Sequence, residues 1–187
     1  MRNINSLLKI VEKQKNNQAI GIYSACSASP FVIEAVIKRA KSDNSCVLIE
    51  STANQSDQFG GYTGMTPLDF RKYVEKIADK YHFDKNKLFL GGDHLGPLTW
   101  THLNEAEAMK NAEDLVACYV EAGFTKIHLD TSMKVADDDA NTRLSDEVIA
   151  QRGARLAKVA EATYQKLLEN NNLAVEPVYV VGSEVPI

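Results

Sequence analysis

Short apolar runs alternate with amphipathic stretches along this chain. The runs are Ala19–Ser24 (AIGIYS), Cys46–Glu50 (CVLIE), Lys87–Gly91 (KLFLG), Thr125–Asp130 (TKIHLD) and Pro177–Val181 (PVYVV). Their length and β-branched content predict buried strands. Between them the spacing turns helical. Ser29-Pro30 opens FVIEAVIKRA with serine at the N-cap and proline in the first turn. Thr66-Pro67 opens a second helix that carries Phe70, Tyr73, Val74 and Ile77 on one face. Asn104–Ala122, closed by Gly123, and Ser145–Glu169 predict two more. The leading MRNINSLLKIVEKQKNNQ spaces its apolar residues helically and has no signal-peptide core.

Buried strands that alternate with amphipathic helices predict a parallel α/β architecture. No linker or low-complexity segment interrupts the pattern, so residues 1–187 read as one domain. Five strands suit a doubly wound sheet. They equally suit the first five-eighths of a (β/α)8 TIM barrel, which takes about 250 residues. GSEVPI follows the last run, where a βα loop should begin. That ending favours the N-terminal part of a barrel, incomplete after about five βα units.

Composition narrows the function. Lys and Arg total 21 against 25 Asp and Glu, a net charge of −4, so no basic excess points to nucleic acid. No apolar run approaches the roughly 20 residues that span a bilayer, so no membrane partner is expected. Three widely spaced cysteines, Cys26, Cys46 and Cys118, fit a reducing cytoplasm and not a disulfide framework or zinc ribbon.

Residues able to do chemistry fall at the C-terminal ends of the predicted strands, the edge where parallel α/β folds build their sites. They are Ser24 and Cys26, Glu50, Asp93-His94 within GGDHLGP, His128 and Asp130, and Ser183-Glu184. An Asp beside a His offers a general acid or base next to a metal ligand. The competing reading is a glycine turn with His94 capping a carbonyl. Alternation along a strand points His128 and Asp130 the same way, so His128 is either a site residue or a buried histidine bonded to Asp130. Glu50 and Glu184 either share a site or simply terminate strands. The loop Ser51–Met65, with Gly60, Gly61 and Gly64, either closes over substrate and offers N–H groups to phosphate, or is a flexible polar loop. It lacks the GK[ST] of a P-loop, which argues against a P-loop kinase. His82, His102 and Asp137–Asp139 read as surface or solvated loop, and Cys46 and Cys118 as buried. Cys26 has no evident base to activate it.

GIYSACSASPFVIEAVI, VLIESTANQSDQFGGYTGMTPLDF, LGGDHLGP, AGFTKIHLD and VGSEVP together resemble the Z-type subunit family of tagatose-1,6-bisphosphate aldolase, from near residue 7 to the chain end. The resemblance implies a (β/α)8 barrel of roughly twice this length. It implies a non-catalytic subunit in galactitol or N-acetylgalactosamine catabolism, which supports a Y-type class II aldolase partner that is zinc-dependent. Some relatives are described as ketose or ketose-phosphate 4-epimerases, the alternative reading here. By similarity to class II aldolases, His94 is the metal ligand and Asp93 the proton carrier. Asp130 and Glu184 resemble further site carboxylates, and Glu184 is a second metal candidate. The remaining histidine ligands of those enzymes lie on later strands. Zinc is thus a candidate cofactor of the full-length protein only. Ser24, Glu50, Gly60 and Gly61 are the sugar-phosphate-binding candidates. Asp93, Asp130 and Glu184 are the catalytic candidates if the protein is an enzyme.

Overall fold

A computed structural model describes residues 5–171 and 173–182. In chain order the elements are α1 (Ser6–Lys15), β1 (Ser24–Cys26), α2 (Pro30–Ser42), β2 (Val47–Thr52), α3 (Pro67–Lys80), β3 (Leu88–Leu95), α4 (Glu105–Glu121), β4 (Lys126–Leu129), α5 (Asp146–Asn170) and β5 (Val178–Val181). The five strands form one sheet in the order β1-β2-β3-β4-β5, every neighbouring pair parallel. A doubly wound sheet reverses direction at a switch point and scrambles that order. Strictly sequential order, with a helix between successive strands, is the pattern of a (β/α)8 barrel wall, here open between β1 and β5.

The helices start where the sequence signals them. Thr66 accepts from the Asp69 N–H while Asp69 reaches back to the Thr66 N–H, a complete capping box. Asn104 and Ser145 cap α4 and α5 through their side chains. The helices bury Ile33, Ile37, Phe70, Val74, Leu115, Tyr119, Leu156 and Tyr164 against Val47, Ile49, Leu90, Ile127 and Leu129 of the strands. The opposite sheet face carries a smaller apolar group, Leu48 and Phe89, closed by Leu7 of α1. Asn5 fixes that closure. Its side chain accepts from the Leu7 N–H and donates to the carbonyls of Thr125 and Glu176.

Two strand boundaries differ from those expected. The first run pairs only from Ser24 to Cys26, opposite Leu48 to Glu50. Ile22 before it packs against the small apolar group and makes no ladder. The third run does not stop at Gly91 but continues as strand to Leu95. The two glycines are close-packing sites, not a turn. A Cβ at Gly91 would overlap the Glu50 side chain, and one at Gly92 would lie 2.6 Å from Leu95 Cδ1 and 2.8 Å from Tyr119 Cδ1.

The acidic stretch expected to be a solvated loop is tied down. Asp137 accepts from the Glu105 N–H at the start of α4. Asp138 takes two hydrogen bonds from the Arg152 guanidinium of α5, at 2.8 and 2.9 Å, and Glu105 takes a third at 2.7 Å. Arg152 is only 1% exposed, so this cluster joins α4, α5 and the intervening loop from inside. Cys46 and Cys118 are half-buried rather than buried.

Candidate functional site

Strand alternation determines which side chains meet. On β2, Val47 and Ile49 face the helices, leaving Leu48 and Glu50 on the other face. On β4, Ile127 and Leu129 face the helices, leaving Lys126 and His128. On β3 the same parity puts Phe89, Gly91 and Asp93 on that face. Beyond Gly92 the β3–β4 register shifts, and His94 takes a left-handed φ of +50°. The bulge inserts one residue and re-aims the side chains after it. Leu95 thereby returns to the helix-side core, and His94 joins Asp93.

The result is a compact polar cluster on the sheet face opposite α2–α5, near the C-terminal strand ends. Lys126 Nζ lies 2.5 Å from Glu50 Oε1 and 3.2 Å from Asp93 Oδ1. His128 Nδ1 lies 3.0 Å from Asp93 Oδ1, and its Nε2 lies 3.1 Å from the Gly182 carbonyl. His94 Nδ1 lies 3.3 Å from Asp93 Oδ2, and the two imidazole centroids are 4.2 Å apart. Ser24 Oγ donates to Glu50 Oε2. Burial by itself would raise the Asp93 carboxyl. Hydrogen bonding to His128 and the charge and hydrogen bond of Lys126 outweigh it and hold the group at about 2.

The predicted residues divide. The structure brings Ser24, Glu50, Asp93 and His94 together. Asp130 does not join them. β4 ends at Leu129, so alternation no longer governs Asp130, and its Oδ1 turns to accept from the Ser132 N–H and Oγ–H. His128 is bonded to Asp93 and not to Asp130. Asp130 lines a separate cavity of about 990 Å³ with Ser132, Arg143, Ile149 and Gly153, between the end of β4 and α5. Glu184 lies outside the described residues. Gly60 and Gly61 sit in a loop that is ordered rather than loose. The N–H groups of Phe59 and Gly61 donate to Asp57 Oδ1, Gly60 to the Asp57 carbonyl, Tyr62 to Asn54 and Thr63 to Gln55. These donors are used within the loop. Gly61 is required there, since a Cβ would sit 2.6 Å from the Gln55 carbonyl oxygen at a φ of +54°. From below, the buried Tyr119 hydroxyl donates to the Ser56 carbonyl at 2.8 Å, with the Ser51 and Thr52 carbonyls 3.2 Å away.

Lys126 is the central cation of the site, and reading the sequence missed it. Its signal was a lysine inside an apolar strand run, on the same face as His128. Cys26 is open to solvent, yet the packed protein around its thiol and the charges of Asp93 and Glu50 push it up to about 12. His82 and His102 are exposed, as expected.

Asp93, His94 and His128 each offer a ligand atom, all within 4.8 Å of one another. Two imidazoles and a carboxylate are a donor set that zinc accepts. The residues present therefore fit the metal that class II aldolases use. No helix among the described residues is long and apolar enough to cross a membrane.

A crystal structure of a probable tagatose 6 phosphate kinase from Sinorhizobium meliloti 1021 is 50% identical and superposes with a TM-score of 0.79 over 90% of this chain. The chain spans 40% of the length of that relative. A D-psicose 3-epimerase with D-tagatose from Clostridium cellulolyticum H10 matches at 16% identity and a TM-score of 0.43, over 75% of this chain and 45% of its own. The YdjI aldolase from Escherichia coli K12 matches at 13% and 0.39, over 96% and 72%. The model of the family described as D-tagatose-1,6-bisphosphate aldolase subunit GatZ/KbaZ-like matches residues 7–187, and the chain belongs to that family.

Proposed function

We propose that this protein is a supporting, non-catalytic subunit of a class II D-tagatose-1,6-bisphosphate aldolase in the cytoplasm. In this reading it sustains the activity and stability of a Y-type catalytic partner in galactitol or N-acetylgalactosamine catabolism. One observation carries the reading beyond family membership. Asp93 is the proton-carrier candidate by resemblance, yet it is bonded to Lys126 and His128, which hold it at about 2. A general acid or base works best when its pKa lies near the operating pH. A carboxylate paired in this way is suited to holding cations and ordering strands. Glu50, the other carboxylate of the cluster, is engaged by the same lysine. In this reading the cluster stabilises the barrel mouth, and any sugar phosphate there binds without turnover.

The test adds the full protein that carries this chain to purified Y-type aldolase and follows tagatose-1,6-bisphosphate cleavage. The reading expects acceleration only in the mixture. No effect on the partner contradicts it.

A second reading, a metal-dependent ketose or ketose-phosphate 4-epimerase acting alone, is favoured by the meeting of Asp93, His94 and His128. A bound divalent metal would polarise a sugar carbonyl or hydroxyl. Asp93→Ala separates the two: an epimerase loses turnover with its fold intact, whereas a supporting subunit changes only in stability or partner binding.

A further inference from the structure

We propose that Asp93, His94 and His128 form a divalent-cation site, with His128 as a ligand through Nδ1. The resemblance to class II aldolases gives His94 a metal role but gives none to His128. The inference does not rest on either reading of the function, because the metal is read directly and not through turnover.

The argument starts from hydrogen bonding. His128 Nε2 lies 3.1 Å from the Gly182 carbonyl oxygen. A carbonyl only accepts, so Nε2 carries the hydrogen. The backbone N–H of His94 points at Nδ1 from 3.4 Å, which asks for a lone pair there. Nδ1 lies against Asp93 Oδ1 at 3.0 Å, and Lys126 Nζ reaches the same oxygen at 3.2 Å. Nδ1 and Oδ1 face each other across a position that favours positive charge. In the metal-free protein a proton on Nδ1 supplies that charge as the hydrogen bond to Asp93, at the expense of the longer His94 N–H contact. A metal ion supplies it and uses the lone pairs of both acceptors.

Three further features converge. The bulge brings His94 Nδ1 to 3.3 Å from Asp93 Oδ2, so two imidazoles approach one carboxylate from its two oxygens. His94 is held at a φ of +50°, a conformation that non-glycine residues adopt sparingly and that clusters at functional sites. The Gly182 carbonyl fixes the far nitrogen of His128, the outer-shell contact that metal-binding histidines generally make. The three side chains are 11 to 23% exposed, so an ion can reach them from the mouth. The N,N,O set suits zinc, with cobalt(II) as its spectroscopic substitute.

The experiment strips the full protein with a chelator and titrates it with cobalt(II) and then zinc. It follows visible d–d absorption and metal content per chain. The expected result is one equivalent bound with the absorption of a low-coordinate nitrogen and oxygen site. His128→Gln and His94→Gln should each weaken binding by about 100-fold or more, at least the loss seen when outer-shell partners are removed. Nitrogen NMR of the wild-type imidazoles keeps the test independent of whether a variant folds. Zinc should shift the His128 Nδ1 resonance while Nε2 stays protonated. Absence of stoichiometric metal, binding that His128→Gln leaves unchanged, or an Nδ1–H that persists at saturating zinc would each overturn the site. In that case the Asp93–His128 contact is an imidazolium–carboxylate pair.

Discussion

Lys126 Nζ lies 3.2 Å from Asp93 Oδ1, an ion pair between β4 and β3, and its other contact reaches Glu50 of β2 at 2.5 Å. One ammonium thereby ties three neighbouring strands. Breaking a buried pair from one side leaves uncompensated charge and costs about 3–5 kcal/mol. Lys126→Met should lose stability of that order in urea denaturation. Adding Glu50→Gln to it should restore part of the loss, because one of the two stranded carboxylates is then neutral. Additive losses in the double variant would show that the two residues do not interact.

Arg152 and Asp138 give a pH-dependent case. The Arg152 hydrogen bonds hold the Asp138 carboxyl below its ordinary value, outweighing its burial. A depressed folded-state pKa contributes stability above the unfolded value, near 3.9, and loses it as pH falls through the folded value. The stability difference between wild type and Asp138→Asn should therefore be full at pH 6 and shrink steadily below about pH 4. A difference independent of pH between 6 and 3 would show that the shift is absent. Arg152→Met should cost about 3–5 kcal/mol at neutral pH, since Asp138 and Glu105 lose their common cation.

Gly96 and Gly91 should differ in tolerance. A Cβ at Gly96 meets the Asp130 carbonyl, which is backbone, whereas one at Gly91 meets the Glu50 side chain. Overpacking costs typically 1–3 kcal/mol, less where the neighbour can move. Gly96→Ala should fall at the upper end, and thermal unfolding should rank it below Gly91→Ala. The reverse order would show that Glu50 is the more rigid neighbour.

Cys26 should react slowly despite its exposure. With its pKa near 12, the thiolate fraction at pH 8 is small. Allowing for the higher nucleophilicity of a basic thiolate, disulfide exchange should run on the order of 100-fold slower than for a free cysteine. A Cys46→Ser/Cys118→Ser background isolates it, and a rate equal to free cysteine would refute the shift.

Much of the fold was legible because it rests on local signals. The Thr66-Pro67 and Ser145 caps, and apolar runs such as Cys46–Glu50, carry their own structure. The candidate site was legible in part. Glu50 and Asp93 follow from strand ends, but Lys126 lay hidden in a run read as strand, where a charged residue makes sense only once its two carboxylate partners are placed. His94 reaches Asp93 through a bulge, which depends on β3–β4 register and which glycines alone do not reveal. Asp130 lies away from the cluster because strand parity holds only to the last ladder pair, one residue before it. The loop around Gly60 and Gly61 reads as open to a ligand because Asp57, which takes up its N–H groups, resembles any polar loop residue until the chain folds back.

The most direct test of the supporting role measures tagatose-1,6-bisphosphate cleavage by purified Y-type aldolase, with and without the full protein that carries this chain, in wild-type and Asp93→Asn forms. The account predicts a rate rise only in the mixture, largely kept in a folded Asp93→Asn variant because that residue moves no proton. Turnover of a ketose phosphate by the protein alone, abolished in the folded variant, would contradict it.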